Sequence, residues 1–266
     1  MKEIVIIGSG NVAEALAAAV ARTEGLCMKQ IVSRNAERGK ALARMTGSTW
    51  CGDASQAAAA DIYIAAVSDS AITQALEPLR AADGAVVAHT SGAQPLESIP
   101  GRFARRAVIY PFQTFTAGRS ITLAGVPFFI EGADGATAAE AAEFARMLGG
   151  EVFESDSGQR ARVHLAGVFA CNFANAMYAA GAGVLREAGL PFGVLAPLIG
   201  ETARKAADAG DAKRVQTGPA ARHDAVTVER HLRLLSDGAG GVERQHLEAM
   251  YKETTDYIWK RISKKN

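Results

Sequence analysis

The residues most suggestive of chemistry stand at the start of the chain. Gly8-Ser9-Gly10-Asn11-Val12-Ala13 follows the apolar run Ile4-Val5-Ile6-Ile7 and opens the alanine-rich amphipathic segment Glu14 to Thr23. Gly8 sits where a buried strand turns sharply, which favours a residue that tolerates positive φ. Gly10 has no Cβ, so a pyrophosphate can approach the backbone, and Ala13 takes the third small position where helix and strand pack closely. The free N–H groups of the following helix would face the phosphates. Ser9, Asn11 and Val12 complete this turn as cofactor contacts. A second apolar run, Leu26 to Val32, ends in Ser33-Arg34-Asn35. A site for NAD places a carboxylate here for the ribose 2′-hydroxyl. Arg34 can instead pair with a 2′-phosphate, with Ser33 and Asn35 as further donors. The expected cofactor is therefore NADP; the alternative is a solvated Arg34 ahead of the next helix.

Further polar clusters close later apolar runs. Val67-Ser68-Asp69 would flank the cofactor, and His89-Thr90-Ser91-Gly92 and Pro111-Phe112-Gln113-Thr114 would lie nearer the substrate. Ser91 is a candidate catalytic hydroxyl, and Thr90, Gly92 and Gln113 are candidate substrate contacts. Ordinary turn chemistry would place the same residue types there. Later, Arg160, His164, Asn172 and Asn175 punctuate an apolar helical stretch. Positions 160, 164, 168 and 172 step by four, and 175 corrects their drift, so they form a polar seam on one face. His164 is the candidate general acid or base and Asn172 a second catalytic candidate, with Asn175 toward the substrate. A satisfied core histidine is the competing reading. In Thr217-Gly218-Pro219-Ala220-Ala221-Arg222-His223-Asp224, Asp224 reads as an N-cap. Arg222 reads as an anion contact or the partner of a neighbouring acid.

The elements that must position these groups follow from periodicity. Strand signals recur at residues 48–51, 61–67, 85–88, 106–110, 126–130 and 151–154, with helical stretches at 36–45, 69–80 and 135–148 between them. Strands alternating with helices imply an α/β, Rossmann-type, doubly wound parallel sheet. From Ser157 to Lys260 no strand pattern appears. An all-α C-terminal domain is expected, with helices at 158–187, 192–209, 224–236 and 240–263. The domains are read as 1–155, binding NADP, and 156–266, binding substrate and pairing with a second copy, with the reaction at an interdomain cleft.

Composition limits the alternatives. The chain has 266 residues, 48% of them apolar, and a formal net charge of +1, which gives no case for nucleic acid or an anionic membrane. The basic tail, Lys260-Arg261 and Lys264-Lys265, reads as a solvated end. The three cysteines, Cys27, Cys51 and Cys171, are widely spaced, lack metal-ligand spacing, and read as reduced, mostly buried thiols of a cytoplasmic protein. The chain opens on a strand with no signal-peptide pattern. The stretch Val163 to Val184 comes closest to a membrane span, but His164, Asn172 and Asn175 interrupt it.

The segments Gly8–Ala13, Ser33–Asn35, His89–Gly92, Pro111–Thr116, His164–Asn172 and Thr217–Asp224 together resemble the superfamily of pyrroline-5-carboxylate reductase, 6-phosphogluconate dehydrogenase and the 3-hydroxyacid dehydrogenases. Within it the chain is similar to a bacterial family with a Rossmann-like domain, a helical domain of unknown function and a provisional name as NADP oxidoreductases of the coenzyme-F420-dependent type. The resemblance implies NADP binding, a small carbonyl or imine substrate, and a homodimer formed through the C-terminal helices. One departure stands out. The 3-hydroxyacid dehydrogenases carry a catalytic lysine four residues before an asparagine of the long helix, and here that residue is Val168. Either His164 substitutes for it, or the chemistry differs, or the protein is a catalytically silent NADP-binding sensor or scaffold.

Overall fold

The structure, a computed structural model, describes residues 1–119, 122–236 and 242–262. It divides into two compact units, Met1–Asn172 and Phe173–Asn266. The expected boundary at 155/156 marks the end of the last strand; the units divide within the helical run that follows.

The first unit is built on an eight-stranded sheet: β1 (Lys2–Ile7), β2 (Leu26–Val32), β3 (Thr49–Cys51), β4 (Ile62–Ala65), β5 (Val86–His89), β6 (Arg106–Pro111), β7 (Pro127–Gly132) and β8 (Glu151–Glu154), in the order β3-β2-β1-β4-β5-β6-β7-β8. Alternate residues of each strand go to opposite faces. Ile4 and Ile6 join Leu16, Val20 and Ile31 on one side. Val5 and Ile7 join Tyr63, Ile72 and Val87 on the other. Both faces are covered, so β1 and β4 read as continuous apolar runs. Each fully buried isoleucine contributes roughly 1.5–3 kcal/mol.

Strands β1 to β6 are parallel, but β7 runs antiparallel to β6, and β8 is parallel to β7. The sheet is thus mostly parallel, as expected of a doubly wound fold, with an antiparallel step between β6 and β7 that the strand pattern does not show. A parallel neighbour needs a crossover back to the opposite end of the strands. After Pro111 no helix intervenes among the described residues, and Phe112 N–H already donates to Pro127 O at 2.8 Å. The chain therefore re-enters the sheet from the end it left.

The first-unit helices are α1 (Asn11–Val20), α2 (Ala36–Thr46), α3 (Ile72–Leu76), α4 (Gly135–Met147) and α5 (Ser157–Gly167). The helix expected to reach Arg80 stops at Leu76, because Pro78 cannot continue it. Arg102 takes up the freed carbonyls of Leu76 and Glu77, at 2.8 and 2.6 Å. Asp156 and Gln159 form a reciprocal capping box at the start of α5.

The expected single helix from 158 to 187 is interrupted. Between α5 and α6 (Ala174–Glu187) lies a π-helical turn, Val168–Phe173. Such turns often mark functional sites. The 31-residue run Ser157–Glu187 is long and apolar enough in composition to cross a membrane. Its Arg160, however, is buried against Glu131 of the sheet.

The second unit contains α6, α7 (Ala196–Asp208), α8 (Ala225–Ser236) and α9 (Val242–Ile262). Asp224 caps α8 as expected, accepting from Thr227 N–H at 3.0 Å and Thr227 Oγ1 at 2.7 Å. Those bonds lower its carboxyl pKa, with a further contribution from the Arg222 charge. His223 stands at φ +52 and stacks on Trp259. The expected helix start at Gly240, its end at Ser263, and Lys264 and Lys265 lie outside the described residues.

Candidate functional site

Strand order reverses at β1, whose neighbours are β2 and β4, and ligands bind beyond the carboxyl ends of strands at such a point. A cavity of about 1350 Å³ opens there, lined wholly by residues of the first unit. Gly8, Ser9, Gly10, Asn11 and Val12 line one wall, with Ser33, Arg34 and Asn35 beside them and Val67 and Ser68 across. Asp69 lies outside the lining, at the head of a 3-10 turn.

The two glycines have different reasons. Gly8 has φ +128, and a Cβ there would lie 2.2 Å from Ala66 O. Gly10 has φ −78, and a Cβ there would meet nothing within 4 Å. Gly8 is thus needed for the turn, and Gly10 leaves open space at the start of α1. Helix α1 begins at Asn11 without a side-chain cap, so its first N–H groups are free to bind phosphate. These residues fit a dinucleotide. The Asn11 side chain is otherwise engaged: Nδ2 donates to Phe115 O at 3.0 Å.

The loop after β2 is held rigidly. Ser33 is buried, its Oγ donates to Asn35 O at 3.0 Å, and Trp50 Nε1 donates to both Ser33 O and Oγ at 3.3 Å. Asn35 Oδ1 caps α2 by accepting from Arg38 N–H. Arg34 is exposed on the cavity wall and makes no hydrogen bond or ion pair among the described residues.

The opposite end of the cavity is formed by Tyr110, Phe112, Gln113, Thr114, His164, Gly167, Val168, Ala170, Cys171 and Asn172. His164 and Asn172 therefore come together with Gln113. Ala170, Cys171 and Asn172 of the π turn line the cavity in succession. Of the expected seam, positions 164, 168 and 172 line the cavity together, and its two outer members do not. Arg160 turns away from the cavity, and Asn175 lies in the second unit, outside the lining. The expectation of mostly buried thiols also changes, since Cys27 and Cys51 are half-buried and Cys171 is exposed.

The loop after β5 stands behind this wall. Thr90 and Ser91 are buried and outside the lining. Ser91 Oγ accepts from Ala93 N–H at 3.1 Å and Gln94 N–H at 3.0 Å. Gly92 also lies outside the lining; a Cβ on it would sit 2.5 Å from Tyr110 Cζ and 2.8 Å from His164 Nδ1. Its bareness lets Tyr110 Oη and His164 Nδ1 meet at 3.2 Å. Burial, with the Asp69 charge, pushes the Tyr110 hydroxyl up to about 12. The strand pattern conceals Tyr110, since an aromatic residue ending an apolar strand reads as core; the one signal was its place immediately before Pro111-Phe112-Gln113.

His89 is fully buried. Ser91 N–H donates to its Nδ1 at 3.1 Å, so its neutral ring carries the proton on Nε2 and donates to Pro95 O at 3.1 Å. Burial pulls its pKa down to about 4; the Pro95 bond opposes this and the Arg160 charge adds to it. The unfolded ring titrates near 6.5, so between those values only the unfolded chain binds this proton. Stability should fall as pH drops through that window, by on the order of 3 kcal/mol in full. Urea unfolding at pH 7 and pH 4.5 checks this, and an equal pH dependence in His89→Asn would refute it.

The family described as NADP oxidoreductase coenzyme F420-dependent matches residues 3–91, and the domain of unknown function DUF2520 matches residues 126–258. No curated protein matches the chain. Among solved structures, a protein of Bacteroides fragilis provisionally named an NADP oxidoreductase (BF3122) shares 35% identity, covering 97% of this chain and 98% of that one, with a TM-score of 0.86. The imine reductase of Streptomyces aurantiacus shares the fold at 16% identity, over 97% and 95% of the two chains, with a TM-score of 0.66. The reductive aminase of Aspergillus terreus, solved with NADPH and ethyl-5-oxohexanoate, shares it at 16% identity over 100% of each chain, with a TM-score of 0.68. With both halves matched and that identity across nearly its whole length, the chain belongs to the family that joins an NADP-oxidoreductase domain of the coenzyme-F420-dependent type to DUF2520.

Proposed function

We propose that the protein is an NADP-dependent reductase of a small carbonyl or imine compound. The observation that carries this reading is the continuous cavity, with the Gly8–Val12 turn and Arg34 at one end and His164, Gln113 and Asn172 at the other. The turn and the start of α1 hold the pyrophosphate, and Arg34 takes the 2′-phosphate. Asn172 and Gln113 supply amides that orient the reacting group, and His164 supplies acid–base capacity. When bound, the dinucleotide supplies the hydride. The imine reductase and reductive aminase folds support the substrate class by analogy. NADPH oxidation against a panel of small ketones, keto acids and imines tests the reading. Turnover that collapses in His164→Ala supports it, and tight NADPH binding with no turnover on any member rejects it.

The 2′-phosphate assignment has its own test. A charge-assisted bond to phosphate contributes about 1.5–3 kcal/mol, so Arg34→Ala should weaken NADPH binding roughly 10- to 100-fold while leaving NADH nearly unchanged. Equal losses for both cofactors would refute it.

The reading includes a homodimer formed through the C-terminal helices. Among the described residues of the second unit only Val228 and Thr255 are buried, while Met177, Val184, Phe192, Val194 and Leu198 are exposed. So much exposed apolar surface marks an interaction face. Light scattering should give the mass of two chains, and a monomer would reject this part.

A further inference from the structure

Two side chains at the cavity's far end are built as a pair. Tyr110 is the penultimate residue of β6, and its ring lies edge-on to Phe112 at 6.1 Å and to His164 at 6.0 Å, and tilted against Phe129 at 6.4 Å. Gly92 leaves no room for a methyl group beneath it. The ring is held on several sides, and its hydroxyl meets His164 Nδ1 at 3.2 Å. Both residues line the cavity.

We infer that Tyr110 is the proton donor of this site and that His164 recharges it. This rests on the proposed reduction. His164 Nδ1 is already occupied by the tyrosine, so this ring nitrogen reaches a substrate through Tyr110 Oη. Gln113 and Asn172 can orient a substrate, but their amides do not give up protons near neutral pH. The tyrosine hydroxyl, pushed up by burial and the Asp69 charge, stays protonated at neutral pH and so acts as a donor.

The substrate's C=O or C=N carbon gains hydride from the reduced nicotinamide dinucleotide. The π electron pair moves to the oxygen or nitrogen, which takes the proton of Tyr110 Oη. Oη takes the Nδ1 proton of the His164 imidazolium. The imidazole is left neutral with its remaining proton on Nε2, and water restores the lost one.

Tyr110→Phe keeps the ring and its packing and removes only the hydroxyl. The expected result is a fall in kcat of about 100-fold or more, with NADPH affinity within about twofold of the parent. Nitrogen NMR of labelled histidine gives a readout that does not need turnover: the His164 Nδ1 resonance should move in Tyr110→Phe. A kcat within about threefold of the parent would overturn the inference, as would an unmoved resonance. If the parent binds NADPH but reduces no panel member, the proposed reduction fails. The spectra then decide the pairing alone, and an unmoved resonance still overturns it.

Discussion

Replacing Arg160 with methionine is expected to cost about 3–5 kcal/mol of stability, the usual cost of leaving one member of a buried ion pair alone. Arg160 is fully buried on α5, and its guanidinium pairs with Glu131 of β7. Its Nη2 also donates to Gln94 O at 2.6 Å and Ser157 Oγ at 3.3 Å. Ser157 Oγ in turn donates to Glu131 at 2.9 and 3.0 Å. Methionine would leave a mostly buried carboxylate with only the serine. It would also remove the bond from α5 to Gln94 O in the loop behind the cavity, leaving Leu96 N–H on Ser157 Oγ at 3.3 Å. Among the described residues Arg160 Nε has no hydrogen-bond partner, so the pair is not an optimised source of stability. Removing both charges in Arg160→Met with Glu131→Met should therefore cost clearly less than Arg160→Met alone, a coupling that a double-mutant cycle reads directly. Urea unfolding of the three variants checks this. A single-variant cost under about 1 kcal/mol would show that the pair is dispensable.

The sequence alone disclosed the parts of this molecule that depend on local constraint. Gly8 shows itself because its φ favours glycine, and the alternation of apolar runs with helical stretches implies a doubly wound sheet. Asp224 shows itself as a cap for the same local reason. What was hidden depends on distant partners. The apolar pattern of β7 is the same whichever way the strand runs, so only its pairing reveals the antiparallel end. Arg160 and His164 stand one turn apart, yet one is locked to Glu131 and the other opens on the cavity. Four-residue stepping assumed a regular helix, and no residue type announces the π turn that changes the register after Gly167. Position alone makes Ser33 a donor to phosphate, but Trp50, seventeen residues on, holds its hydroxyl inward. Tyr110 is not distinguishable by type, since a buried core and a catalytic site both accept an aromatic residue near a strand end.

The glycine turn yields the other large expected effect, and it separates folding from binding. In Gly8→Ala the new methyl carbon would lie 2.2 Å from Ala66 O at a φ of +128. The backbone strain alone costs on the order of 1–3 kcal/mol, and the obstacle is a backbone carbonyl, that of the residue just after β4, whose N–H is tied to Ile7 O at 2.8 Å. The variant should lose most of a stability that is typically about 5–15 kcal/mol in total. Gly10→Ala is the opposite case. Its φ of −78 suits any residue, and its Cβ meets nothing within 4 Å. Stability should stay within about 1 kcal/mol of the parent, or rise slightly as the unfolded chain loses freedom. The new methyl would occupy the space through which a pyrophosphate approaches the start of α1, so NADPH affinity should fall by about 100-fold, a little under 3 kcal/mol. Thermal unfolding and fluorescence titration with NADPH separate the two effects. A stable Gly8→Ala would mean that β1 and β4 can part at their carboxyl ends. A Gly10→Ala protein that binds NADPH as well as the parent would mean that the phosphates do not pass over Gly10, and the cofactor would then have to lie elsewhere in the cavity.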